Sequence, residues 1–322
     1  MQNNFKYLDD LIHSCAKEIV LDSDIVLSDG EESEYKDGIK LDVDDLVIDG
    51  NGHIVDACGK ARIFCCTGKN VIIKNIILKN GFAERGGAIY NRGELTITES
   101  TLNNNTAKWS GGAIYNSKSA SLTITGSTLT GNTAKYGGAI DNSGELKIHD
   151  STLTENTAGH MGGAIYNDKC ELTITDSTLN ENTAQNEGGA IYNSEGSLTI
   201  TESTLNNNTA KYIGGAIYHL YNRLTITEST FTENTSEYGG AIYNELGSLT
   251  ITESTLNNNT ANHCGGAIDN DQGELTIYDS TLNNNTAQRR GGAIENSEGS
   301  LTEYESENCT FKDNKPDDVY EE

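Results

Sequence analysis

The chain has 322 residues, and its 48 Asp and Glu against 22 Lys and Arg leave a formal charge of -26, which disfavours nucleic acid and anionic lipid surfaces as partners. A hydrophobic content of 35% and a mean hydropathy of -0.52 exclude a large buried core but suffice for a narrow solenoid, whose coils need only a thin apolar seam. The most apolar run, Val71 to Leu78, is interrupted by Lys74 and Asn75 and falls far short of the roughly 20 apolar residues of a membrane span, so no membrane insertion by this chain is expected.

In chain order, residues 1–18 place Phe5, Leu8, Leu11, Ile12 and Cys15 at spacings of three and four, the pattern of an amphipathic helix able to cap a solenoid. Lys, Asp and His within the same stretch leave no uninterrupted apolar core of the kind an export signal has. Residues 19–85 read as irregular coils, with strands from Ile19 to Leu27, Ile39 to Ile48 and Val71 to Leu78, two of them separated by the turn Asp49-Gly50-Asn51-Gly52. Residues 86–314 form a regular array. Gly-Gly-Ala-Ile begins at Gly86, Gly111, Gly137, Gly162, Gly188, Gly214, Gly239, Gly265 and Gly291, always 25 or 26 residues apart. Each copy continues through Tyr-Asn or a variant, a turn, Leu-Thr-Ile-Thr, an acidic residue with Ser-Thr-Leu, and Asn-Thr-Ala, which predicts three short strands per coil. Residues 315–322 read as an acidic tail.

The period-two alternation turns Leu95 with Ile97, and Leu172 with Ile174, inward and the threonines outward. Pro316, the single proline, lies beyond the last copy, so nothing in the array interrupts backbone pairing between coils. The reading is therefore an all-β fold, a single parallel β-helix. Stacking at one strand spacing, about 4.8 Å, brings like residues together. Two buried columns are expected to hydrogen-bond amide to amide: Asn91, Asn116, Asn142 onward, and Asn105, Asn132, Asn156 onward.

Outward columns supply the candidate sites. Tyr90, Tyr115, Tyr166, Tyr192, Tyr218 and Tyr243 are expected to stack into a flat ribbon suited to sugar faces. Asp269 and Glu295 interrupt that column on successive coils and are the best catalytic pair, at a spacing a retaining glycosidase employs, with no Lys or Arg expected beside them. Glu202, Glu228 and Glu253 belong to an acidic column that calcium could bridge, although solvated acidity is the plainer reading and no cofactor is expected. Seven cysteines, odd in number and out of phase with the repeat, read as reduced thiols.

The pairing of Gly-Gly-Ala-Ile with Leu-x-x-Asn, as in Leu102 to Asn105, Leu129 to Asn132, Phe231 to Asn234 and Phe311 to Asn314, resembles the repeats of chlamydial polymorphic outer-membrane proteins. The upstream phrases Ile48 to Asp56 and Val71 to Gly81 look more like the adhesin-like proteins of methanogenic archaea. The resemblance implies a right-handed helix of the pectate-lyase type, displayed at the cell surface and attached to glycans or surface proteins of other cells. The alternatives are a polysaccharide-active enzyme and an intracellular scaffold.

Overall fold

The computed structural model describes residues 3–14, 16–297 and 303–321. It is a right-handed parallel β-helix in which every strand pairs in parallel with its counterpart one coil away. Three sheets of twelve strands run the length of the rod, about 50 Å at one strand spacing per coil. In the coil that begins at Gly86 they contribute Ile89–Asn91, Glu94–Thr98 and Thr101–Asn103.

A fourth sheet of nine short strands, from Phe82–Arg85 to Thr286–Ala287, adds to the three strands per coil that the sequence predicts. Its signature is only the Thr-Ala pair, whose small Ala is buried, and bulges shift its register between several coils, which absorbs unequal segments before Gly-Gly. The leading strands and the pairing follow the alternation: Leu95 stacks on Leu122 and Ile97 on Ile124, and all four are buried.

Each glycine of the Gly-Gly pair answers a separate constraint. The first sits at positive φ, +60 at Gly86 and +67 at Gly162. The second has ordinary φ, but a Cβ on Gly163 would lie 1.9 Å from the carbonyl oxygen of Gly189 on the next coil.

Both asparagine columns are buried, except at the terminal Asn314, which is half-buried. In the first, Asn91 Nδ2 donates to Asn116 Oδ1 at 2.8 Å and the relay continues through Asn142, Asn167 and Asn193. In the second, the Asn105 amide donates to Asn132 Oδ1 at 3.1 Å and to the Leu78 carbonyl, and the pattern repeats through Asn156 to Asn314. A third ladder accompanies them. Ser100 Oγ donates to the Thr98 carbonyl at 2.7 Å, while the Ser100 N–H donates to Ser127 Oγ at 3.1 Å, and Ser127 to Ser280 continue the motif. His219 breaks the first ladder. Its Nδ1 accepts from Asn193 at 2.9 Å and burial holds its pKa down to about 4, but the side-chain oxygen of Asn244 on the following coil is left without a partner.

At the N-terminal end a helix, Phe5–Ile12, buries Phe5, Leu8 and Ile12 against the first coil, with the Asn4 side chain accepting from the Tyr7 N–H as its cap. The helix is shorter than the expected 1–18, because a strand already begins at Glu18, and Cys15 lies outside the described residues. The acidic tail is likewise no free extension: Val319–Glu321 pairs with Ile294–Asn296 and closes a last coil.

Removing a ladder member orphans partners on both sides at about 1–3 kcal/mol each, so Asn182→Ala should lower the urea midpoint by the equivalent of about 3 kcal/mol. Thr199→Ala, on an exposed strand face, should move it little. His219→Asn, which restores the relay to Asn244, should raise it by about 1 kcal/mol; urea titrations of the three variants check all of this.

Candidate functional site

Between each inward Ile and inward Asn, one residue per coil points away from the core. Register places these as one column: Lys40, Cys65, Tyr90, Tyr115, Asp141, Tyr166, Tyr192, Tyr218, Tyr243, Asp269, Glu295 and Tyr320. Tyr166, Tyr192, Tyr218 and Tyr243 stack in succession, whereas Tyr90 and Tyr115 meet tilted at 44°. Ring centroids are 5.0 Å apart for Tyr90 and Tyr115, 4.9 Å for Tyr166 and Tyr192, and 5.0 Å for Tyr192 and Tyr218.

The column is not the open, flat ribbon that the sequence suggests. Tyr192 and Tyr218 are buried, and Tyr90, Tyr115, Tyr166 and Tyr243 are half-buried. The residue before each Gly-Gly closes over it: Tyr136 meets the Tyr166 ring at 5.5 Å, and Arg290 reaches Glu295. The phenols also have internal partners, Tyr218 donating to Glu245 at 2.6 Å and Tyr243 to Asp271 at 3.1 Å. The six tyrosines thus form the floor of a trough.

The same cover changes the reading of the acids. Asp269 and Glu295 do sit on adjacent strands, but they are 3% and 2% exposed, too enclosed for a sugar to reach. Contrary to expectation a cation stands beside them, with Arg290 Nη2 2.9 Å from Glu295 Oε1. Burial, reinforced by the Glu295 charge, raises the Asp269 pKa well above the usual carboxylate range. Cys264, against the same pair, is pushed up to about 11 by burial first and by Glu295 second, which makes it a poor nucleophile. Asp141, between Tyr115 and Tyr166, is raised to about 6, again by burial.

The exposed aromatic surface lies one column away, on the fourth sheet and the turn that follows it. Trp109 is 51% exposed, Tyr212 43% and Phe82 36%, and half-buried Tyr136, His160, Tyr238 and His263 fill the crest between and beyond them. Tyr136 packs on His160 at 5.4 Å and Tyr238 on His263 at 4.5 Å. Sequence reasoning missed this crest, although its signal was present: Trp109, Tyr136, His160, Tyr212, Tyr238 and His263 all stand one or two places before a Gly-Gly.

The acidic column occupies left-handed turns. Glu202, Glu228 and Glu253, the candidates for a bridging cation, have φ of 49, 49 and 50 and are exposed. Like charges held a coil apart at such turns relax by spreading into water. Among the described residues no three His, Cys, Asp or Glu side chains gather as a group that could hold a metal ion, no helix is long and apolar enough to cross a membrane, and the six cysteines present are free.

Residues 36–221, more than half of the chain, match the family model of the right-handed β-helix region. Residues 228–245, 253–271 and 279–297 match the model of the Chlamydia polymorphic membrane protein repeat, each match running from a left-handed acidic turn to just beyond the next Gly-Gly-Ala-Ile. No curated protein and no solved structure matches the chain.

A carboxyl whose pKa is raised by folding favours the folded state only while protonated. The stability it withholds therefore grows as pH rises from its unfolded value, about 3.9, through its folded value. Asp141→Asn should be the more stable protein at pH 8, by up to about 3 kcal/mol, and this advantage should vanish by pH 3.5. Paired thermal melts at the two pH values check it.

Proposed function

The chain belongs to the right-handed β-helix family, and we propose that it is an adhesin-like surface protein that uses its aromatic crest to contact glycans on other cells. The observation that carries this reading is the crest itself. Trp109, Tyr136, Tyr212 and Tyr238 project from one side of a rigid rod at coil spacings, so several sugars of one chain can be met at once with no loop to be ordered on binding. The matches to the polymorphic membrane protein repeat fit a protein displayed at a cell surface.

In this reading the chain binds and does not catalyse. The weak candidates Asp269 and Glu295 serve as buried members of a polar trough, and Tyr90, Tyr115, Tyr166, Tyr192, Tyr218 and Tyr243 support the crest from beneath rather than meeting the ligand with their faces. Calcium has no assigned role.

The purified chain should bind polysaccharides immobilised on a sensor surface. The double variant Trp109→Ala/Tyr212→Ala should lose about tenfold in affinity, the scale of two aromatic contacts, with an unchanged thermal melt. Unaltered binding by the double variant would overturn the assignment of the crest.

A further inference from the structure

The charge of the chain is strongly segregated. From Lys60 to Lys135 there are ten Lys or Arg and only three carboxylates, Glu84, Glu94 and Glu99, within a protein of net charge -26. Three coils therefore carry an excess of positive charge, and the fold gathers part of it on the aromatic side of the rod. Arg92 lies 4.5 Å over the Tyr90 ring, Arg85 5.3 Å over Tyr115, and Lys135 5.0 Å from Trp109 and 5.2 Å from Tyr136.

These three cations differ from most of their neighbours. Lys60 pairs with Asp29 and Glu32, Lys74 with Asp49, and Lys79 with Asp56, whereas Arg85, Arg92 and Lys135 form no ion pair among the described residues. Beneath them Arg62, 8% exposed, donates to the carbonyl oxygens of Asp37 at 2.7 Å, Arg85 at 2.9 Å and Gly86 at 3.0 Å. Its nearest carboxylate, Asp37, is 3.9 Å away and exposed. A depression that adjoins the patch at Phe82 mixes Lys36, Lys60, Arg62 and Lys108 with Glu32, Asp37 and Glu84.

We propose that the coils bearing Phe82, Arg85, Arg92, Trp109 and Lys135 form a subsite for the anionic sugars of an acidic glycan. The inference rests on the reading of the crest as a glycan-contact face and adds its ligand class. Exposed rings beside guanidinium and ammonium groups match a polymer that alternates apolar sugar faces with carboxylate or sulfate groups. The acidity of the rest of the chain does not forbid this, because at physiological salt charges beyond about 8 Å are largely screened. It does favour a sparsely charged polymer over a nucleic acid, whose closely spaced phosphates would run from this short patch onto the coils of Asp141, Glu187 and Glu245.

The test measures binding of the full chain to immobilised hyaluronan, which carries carboxylates, heparin, which carries sulfates as well, neutral mannan, and oligothymidylate. Arg85→Ala/Arg92→Ala is compared with Arg223→Ala, an exposed cation lost from the coil of His219, several coils from the patch. We expect binding to hyaluronan or heparin that weakens with salt and falls about tenfold or more in the double variant, with binding by Arg223→Ala and the thermal melts unchanged; the preferred arm tells carboxylate from sulfate. Binding to mannan alone, or acidic binding that the double variant retains, overturns the subsite and leaves the glycan-contact reading standing. Equal or tighter binding to oligothymidylate overturns it in favour of a nucleic-acid site. Binding to none of the four overturns both.

Discussion

Each coil must return the chain to a point one strand spacing, about 4.8 Å, from where it began, and this constraint governs the rest of the molecule. It places every residue beneath its own counterpart, so whatever the repeat puts at a position is multiplied into a column. Polar side chains can then be fully buried, because an asparagine stacked on asparagine both donates and accepts. It also forbids a side chain where coils approach most closely, which is why the second glycine of each pair is retained although its φ is ordinary. His219 shows the limit of tolerance: a side chain of similar polarity but different geometry leaves Asn244 with an unmet acceptor.

The same multiplication shapes the surface. Tyrosines brought to stacking distance create an apolar strip that the following turn covers, and acids carried into that strip at Asp141, Asp269 and Glu295 become buried with it. Burial raises the pKa of Asp141 and Asp269 and removes all three from solvent, so carboxylates that look available in the repeat are absorbed into structure. What stays accessible is the crest of the fourth sheet, where the residues before Gly-Gly vary and are large. Function in such a rod resides in what differs between coils, whereas what repeats holds the coils in register.

Much of this was legible from residues alone. The Leu-Thr-Ile-Thr alternation and the Gly-Gly-Ala-Ile spacing lead directly to parallel strands in register, and the stacked Asn phrases to buried ladders. Three things were not. The fourth sheet is two to five residues long, too short for an alternation to declare itself. The Ser100 ladder hides in a Ser-Thr phrase that strand surfaces use freely. The burial of the tyrosine column depends on how the turn before Gly-Gly folds back, a property of tertiary packing that alternation, which only separates core from not-core, does not encode. The same blindness placed Asp269 and Glu295 in solvent without Arg290 and directed attention to Tyr90 through Tyr243 and away from Trp109 and Tyr212.

The central claim is that this rod faces the outside of a cell. It is tested most directly by brief trypsin treatment of intact native cells, with released peptides identified by mass spectrometry and a cytosolic protein followed as the leakage control. Lys118 and Lys169 stand exposed at turns, and Arg223 stands exposed at the start of a strand, so all three are suitable cleavage points. Release of peptides ending at these residues while the cytosolic control stays intact is the predicted result; recovery of the chain only after lysis would contradict the account.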